Sequence, residues 1–126
     1  MMQRGTVLVV EDYEAARRAI VAVLTTGGYV VHTADDGARA LDFLRRDPSC
    51  GIVILDWRLP GMDGGKVLAA IRADPTLTNI PVILVTANRV TRESALAAGA
   101  TDYFPKPFGP DALLAAVARH MRKITP

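Results

Sequence analysis

Five short apolar runs, rich in β-branched residues, alternate along the chain with stretches whose apolar residues recur three and four positions apart. The runs lie at 7–10, 29–33, 52–55 and 82–85, and a weaker one lies at 101–104. Runs that are apolar at every position favour strands buried on both faces, which form a mainly parallel sheet covered by helices. The alternation therefore predicts an α/β fold, a doubly wound five-stranded parallel sheet with five helices on both faces.

Length and composition point to one domain in a reducing compartment. A chain of 126 residues is typical of a single domain. No run approaches the roughly 18 apolar residues that a membrane-spanning helix needs, and the N-terminal stretch lacks the layout of a signal peptide. The single cysteine, Cys50, excludes an internal disulfide. We therefore expect a cytoplasmic protein that does not associate with membranes.

The charge distribution argues against binding of nucleic acid. The formal net charge is +2 at pH 7. The arginines are spread over several predicted helices and alternate with acids, whereas a nucleic-acid surface needs clustered positive charge. Direct contact with DNA or RNA is therefore not expected.

Polar side chains stand where the predicted strands end. Because the carboxyl ends of parallel strands meet at one edge of the sheet, these side chains should share one cleft. They comprise three carboxylates, a hydroxyl and an ammonium, and Tyr103 lies in the last strand before the lysine. The residues are Glu11, Asp12, Asp56, Thr86 and Lys106.

The chemistry of this set points to phosphoryl transfer. Crowded carboxylates repel one another and call for a compensating cation. Ligands that are all oxygen favour a hard ion, with Mg²⁺ as the first choice and Mn²⁺ as an alternative. A carboxylate such as Asp56 can accept a phosphoryl group as an aspartyl phosphate, while Lys106 and the metal neutralise the phosphoryl oxygens and Thr86 donates a hydrogen bond.

Four segments in the same order carry a family resemblance. They read VLVVEDYEAARRAI, VILDWRLPGMDG, PVILVTA and AGATDYFPKPF. The sequence resembles the receiver domain of bacterial two-component response regulators, from Thr6 to about Arg122. The resemblance implies the flavodoxin-like strand order 2-1-3-4-5 and a single receiver domain over residues 1–126, with no output domain.

The resemblance also implies a role for each residue of the cleft. Asp12 would bind Mg²⁺ directly, Glu11 through a metal-bound water, and the main-chain carbonyl of Arg58 would complete the protein ligands. Asp56 would be both ligand and phosphoacceptor. Thr86 and Tyr103 would form the switch pair, in which Thr86 moves toward the phosphoryl group and the Tyr103 ring rotates inward. Lys106 would pair with the phosphoryl oxygens and precede a cis peptide bond to Pro107.

The partners that the resemblance implies are proteins. A histidine kinase or phosphotransfer protein would donate the phosphoryl group, and a downstream partner protein or a missing output domain would receive the signal. The responsive surface would comprise residues 89–98, 101–104 and 111–123, and the same surface could carry a homodimer. Such a domain is not an enzyme in the ordinary sense, because it catalyses only its own phosphorylation and dephosphorylation.

Two other classes use related folds or chemistry. A phosphatase of the haloacid-dehalogenase type also forms an aspartyl phosphate, but it needs an acid two residues after the nucleophile, where this chain has Arg58. A flavodoxin-like cofactor binder needs a Ser-, Thr- and Gly-rich loop after the first strand, and EDYEAARR is acidic instead.

Several other residues have simple structural interpretations. Asp35 and Asp36 are predicted to cap a helix, and Asp63, in the turn MDG, is predicted to have a structural role. His32 and His120 have no metal-like spacing and are expected at the surface, whereas Trp57 is expected to pack on the side of the strand opposite to Asp56.

Overall fold

Five strands alternate with five helices in a computed structural model that describes residues 4–87 and 90–122. The strands are β1 (Thr6–Val10), β2 (Val30–Ala34), β3 (Ile52–Asp56), β4 (Val82–Thr86) and β5 (Asp102–Pro105). The helices are α1 (Glu14–Thr26), α2 (Gly37–Arg46), α3 (Gly64–Ala73), α4 (Arg92–Ala97) and α5 (Pro110–His120).

The sheet is parallel throughout, and its strand order β2-β1-β3-β4-β5 is the expected one. The register aligns Val10 with Leu55, Asp56 with Val85, and Thr86 with Pro105. The carboxyl ends of β1, β3, β4 and β5 therefore lie at one level, which brings the residues that follow them together.

Two separate cores cover the two faces of the sheet. Strand residues alternate between them, so that Val53 and Leu55 face one core while Ile52 and Ile54 face the other. Buried residues of α2, α3 and α4 complete the first core, and those of α1 and α5 complete the second. The predicted doubly wound arrangement is confirmed.

Asp36 caps α2 as expected, and the structural role predicted for Asp63 is a cap on α3. Asp36 accepts a hydrogen bond from the backbone N–H of Arg39 at 2.8 Å, and Asp63 accepts one from Lys66 N–H at 2.9 Å. The prediction for Asp35 is wrong, because its exposed carboxylate lies 3.6 Å from the Arg39 guanidinium and caps no helix.

Gly64 lets α3 start directly against the end of β3. Its N–H donates to the carbonyl of Trp57 at 2.7 Å. A Cβ at this position would stand 2.7 Å from the Trp57 Cα and closer still to the Asp56 carbonyl oxygen. Only glycine permits this approach, which fixes the backbone of Asp56 from the α3 side.

Arg72 joins α3 to two loops at the opposite edge of the sheet. Its guanidinium donates to the carbonyl oxygens of Gly99 at 2.8 Å, Thr78 at 2.9 Å and Ile80 at 2.7 Å. Burial lowers the pKa of this side chain. Removal of the guanidinium would leave three carbonyl groups without a charged donor.

An Arg72→Ala protein is therefore expected to lose about 2 kcal/mol in free energy of unfolding. Arg45→Ala is the control, since the Arg45 guanidinium is exposed and lies 3.8 Å from Asp74; it should cost under about 0.5 kcal/mol. Urea denaturation measures both, and equal losses in the two variants would contradict the account.

Within the described ranges, no helix combines the length and apolar character needed to span a bilayer.

Candidate functional site

Three carboxylates meet at the carboxyl edge of the sheet. Ligand oxygens of Glu11, Asp12 and Asp56 all lie within 4.8 Å of one another. Glu11 and Asp56 are buried, with 1% and 6% of their surfaces exposed, while Asp12 is exposed. The expected convergence of these acids is therefore present, with one member open to solvent.

Lys106 reaches the same cluster from the end of β5. Its Nζ lies 2.5 Å from Glu11 Oε1 and 3.3 Å from Asp56 Oδ2. Its backbone N–H donates to the carbonyl of Thr86 at 2.8 Å, and the bond between Lys106 and Pro107 is cis, as expected. The ammonium and the two buried carboxylates thus form one connected group.

Negative charge exceeds positive charge among these four side chains. With three carboxylates and one ammonium, their formal charge is −2. Burial raises the pKa of Glu11, and the hydrogen bond and charge of Asp56 raise it further, against the opposing effect of Lys106. Burial alone would lower the pKa of Lys106, but its hydrogen bond to Glu11 and the charges of Asp56 and Glu11 raise it. A further cation would relieve this repulsion.

The donor set fits a hard divalent cation. All the side-chain ligands are carboxylate oxygens, which Mg²⁺ prefers over nitrogen or sulfur. Beside Asp12 lies an open cleft of about 360 Å³, also lined by Trp57, Arg58 and Asp63. Mg²⁺ retains several water ligands in protein sites, and an open cleft can hold them.

Arg58 contributes its backbone to the site. Its N–H donates to Asp56 Oδ1 at 3.3 Å, and Arg58 is an exposed residue that lines the cleft. The ligand role of its main-chain carbonyl stays a prediction. Trp57 packs against the core on the α3 side as expected, and its partly buried ring also lines the cleft.

Arg17 also supports the acidic site, a role that was not predicted from the sequence. Its guanidinium donates to the main-chain carbonyl oxygens of Glu11 at 3.1 Å and Asp12 at 3.4 Å. These contacts fix the loop that carries both acids. The spacing of six residues between Glu11 and Arg17 matches no helical pair, so only the fold reveals the contact.

Thr86 and Tyr103 lie on one face of neighbouring strands. Thr86 ends β4 and is buried, with 1% of its surface exposed. Tyr103 pairs in register with Leu84, and its ring is buried in the core on the α3 and α4 side. Because side chains alternate along a strand, Thr86 points to the same face as Leu84. This placement suits a switch pair, and the switching itself stays a prediction.

Asp102 is a second charged centre that the sequence did not single out. Only 6% of its surface is exposed. Its carboxylate lies 2.9 Å from Arg92 on α4, and 3.2 Å from Arg119 and 2.9 Å from His120 Nε2 on α5. The prediction of a surface His120 is therefore wrong, since the ring is partly buried against Asp102; His32 is exposed as expected.

The contacts of Asp102 predict a pH dependence of stability. Burial raises the pKa of Asp102, but the Tyr103 N–H, His120 and the two arginines outweigh it and lower the pKa to about 2. A carboxylate whose pKa is lower in the folded than in the unfolded protein stabilises the fold when the pH lies above the pKa of the unfolded state. This contribution is lost as the pH falls toward 2.

Asp102→Asn should therefore cost about 2 kcal/mol near pH 7, a difference that shrinks below about pH 4. Urea denaturation across this pH range measures it. The control Asp42→Asn alters an exposed carboxylate and should leave the pH profile unchanged; a constant difference for Asp102→Asn would contradict the assignment.

Comparison with known proteins decides the family. The family model described as the response regulator receiver domain matches residues 7–118. This chain belongs to the response regulator receiver domain family. It is 43% identical over 119 residues to the response regulator PleD of Caulobacter vibrioides. It is 38% identical over 122 residues to the response regulator MprA of Mycolicibacterium vanbaalenii.

Solved structures agree with the family in fold. A response regulator from Chloroflexus aurantiacus superposes with a TM-score of 0.86 at 30% identity, over 91% of this receiver and 95% of that chain. The receiver domain of the sensor histidine kinase PA1611 from Pseudomonas aeruginosa gives 0.84 at 34% identity, over 92% and 96%. That structure holds a magnesium ion in its active-site cleft.

The matched region is nearly all of this chain but a much smaller part of each relative. The alignments cover 93% and 95% of this chain, but only 26% of PleD and 52% of MprA. The receiver therefore spans about a quarter to a half of these relatives. That residues 1–126 form a single domain without an output domain stays a prediction.

Proposed function

We propose that this receiver domain accepts a phosphoryl group on Asp56 from a histidine kinase or phosphotransfer protein. The observation that carries the proposal is the meeting of Glu11, Asp12 and Asp56 with Lys106 at one edge of the sheet. Family membership supports a phosphorylation-switched signalling role, and receiver domains are regulatory phosphoacceptor domains rather than classical enzymes.

In the proposed reaction, an oxygen of Asp56 attacks phosphorus. The new O–P bond forms as the bond from phosphorus to the donor breaks, and the donor keeps that electron pair. Lys106 faces Asp56 Oδ2 at 3.3 Å, where its charge can stabilise the phosphoryl oxygens. Hydrolysis of the aspartyl phosphate by water would reset the switch.

The proposed metal is Mg²⁺, with Mn²⁺ as an alternative. Asp12, Asp56 and the main-chain carbonyl of Arg58 would hold it, and Glu11 would act through a bound water. When present, the metal would supply positive charge for the phosphoryl oxygens. The all-oxygen donor set and its excess negative charge support this assignment.

The proposed readout is a change at the surface formed by α4, β5 and α5. Thr86 would move toward the phosphoryl group while the Tyr103 ring occupies its inward position. The surface would bind a downstream protein, an output domain elsewhere in the full protein, or a second copy of the receiver. Positions 89 and 123 of the predicted surface lie outside the described residues.

A groove beside the site offers a path for the phosphodonor. It has a volume of about 490 Å³ and lies between α1 and the loop after β5, with Ala16, Ala19 and Phe108 in its lining. Lys106 belongs to both the groove and the acidic site. The small side chains on α1 would leave room there for the part of the donor protein that carries the phosphohistidine.

Filling this groove should slow phosphoryl transfer from a protein donor but not from a small-molecule donor. Ala19→Arg is expected to slow transfer from a phosphorylated histidine kinase or phosphotransfer protein by about tenfold or more. Uptake from acetyl phosphate should change little, because that small molecule needs no groove. Ala22→Arg on the same helix, outside the groove lining, is the control. Equal transfer rates in all three proteins would contradict the groove assignment.

Fluorescence of Trp57, the only tryptophan, tests the proposed function. We expect a change on addition of Mg²⁺ and a second change on addition of beryllofluoride, a phosphoryl mimic. Asp56→Asn should abolish the second response. Absence of any beryllofluoride response in the wild-type protein would overturn the proposal, and steady turnover of a free phosphate ester would favour a phosphatase instead.

A further inference from the structure

On the outer edge of β5, two charged side chains form hydrogen bonds with the backbone of Tyr103. β5 is the last strand in the sheet order, and an edge strand has backbone groups without a strand partner. The Tyr103 N–H donates to Asp102 Oδ1 at 2.8 Å, and the Tyr103 carbonyl accepts from Arg92 Nη2 at 3.2 Å. Arg92 Nη1 also donates to the same Asp102 oxygen at 2.9 Å.

These three hydrogen bonds form a closed ring, which we call the Tyr103 bracket (Arg92, Asp102 and Tyr103). Arg92 is the first residue of α4, so the bracket ties the start of that helix to both backbone groups of one residue. A guanidinium can make these two contacts at once because its donors lie in a rigid plane. The tied residue is also the one whose ring is buried in the core.

We propose that Arg92 is a positioning residue that couples the start of α4 to the backbone of Tyr103. The ring of Tyr103 and the helix α4 then change position together rather than independently. The inference rests on the proposed function, in which the inward ring accompanies phosphorylation. The regulatory contact is the hydrogen bond from Arg92 to the Tyr103 carbonyl within the same chain.

The same carboxylate provides a matched control. Arg119 contacts Asp102 through Oδ2 at 3.2 Å and makes no described contact with the Tyr103 backbone. The two arginine side chains are similarly exposed, 54% for Arg92 and 60% for Arg119. Arg92→Gln and Arg119→Gln therefore each remove one positive charge from beside the Asp102 carboxylate. Only Arg92→Gln also breaks a hydrogen bond of the Tyr103 bracket.

The test uses the full chain with 3-fluorotyrosine in place of tyrosine. The fluorine signal of Tyr103 is assigned by its loss in Tyr103→Phe, and Mg²⁺ with beryllofluoride is the probe. In Arg92→Gln, we expect the Tyr103 signal to move toward that of an exposed ring before the probe is added. Because fewer molecules hold the ring inward, beryllofluoride should bind about three- to tenfold more weakly.

Arg119→Gln should keep the wild-type Tyr103 signal and bind beryllofluoride within about twofold of wild type. Arg92→Lys keeps the charge but cannot span both partners, so it should resemble Arg92→Gln. Equal behaviour of Arg92→Gln and Arg119→Gln, or full rescue by Arg92→Lys, would overturn the inference. If wild type binds no beryllofluoride, the proposed function fails, whereas the signal before addition still tests the bracket.

Discussion

A Lys106→Met protein should take up phosphate from acetyl phosphate about 100-fold more slowly than wild type. The Lys106 ammonium lies 3.3 Å from Asp56 Oδ2 and also contacts Glu11. Its removal takes away positive charge where the phosphoryl oxygens would gather, and it leaves the two buried carboxylates without their cation. The rate is measured by mass spectrometry of samples quenched at successive times.

Lys66→Met is the matched control for this prediction. Lys66 is an exposed residue of α3, and its backbone N–H is bonded to Asp63. Its substitution removes the same charge from the protein and should leave the uptake rate within about twofold of wild type. Uptake by Lys106→Met at the rate of Lys66→Met would show that the ammonium has no part in the reaction.

An Asp12→Asn protein should bind Mg²⁺ about 100-fold more weakly than wild type. Asp12 is the exposed member of the acidic cluster, so the substitution removes a proposed ligand without disturbing the core. It also lowers the repulsion among the carboxylates, and stability without metal should therefore not fall. Titration of Trp57 fluorescence with Mg²⁺ measures the affinity, and thermal unfolding with and without Mg²⁺ measures the stability.

The control for this second prediction is Asp35→Asn, which alters an exposed carboxylate paired with Arg39. It should retain both the affinity for Mg²⁺ and the stabilisation by the metal. The assignment of Asp12 as a ligand would be wrong if Asp12→Asn bound Mg²⁺ as tightly as Asp35→Asn.

The fold was largely predictable because its central strands are buried on both faces. An unbroken apolar run such as 82–85 has few alternatives to a central parallel strand. The edge strand β5 carries a charged residue, Asp102, and its run is correspondingly less distinct. The strand order came from the family resemblance, since apolar periodicity does not specify which strands are neighbours.

The acidic site was predictable because its members follow strand ends, where the fold leaves little freedom of position. The Asp102 cluster was not, because its partners come from two helices, 10 residues away at Arg92 and 17 and 18 residues away at Arg119 and His120. Nothing in local spacing distinguishes these arginines from solvated ones. The prediction of a surface position for His120 is wrong for the same reason.

The most direct measurement locates the phosphoryl group on the chain. The protein is incubated with acetyl phosphate and Mg²⁺, the acyl phosphate is reduced with borohydride, and peptides are analysed by mass spectrometry. We expect one modified residue, Asp56, and no modification in Asp56→Asn. Modification of Glu11 or Asp12 in its place, or an unmodified wild-type protein, would contradict the assignment of Asp56 as the phosphoacceptor.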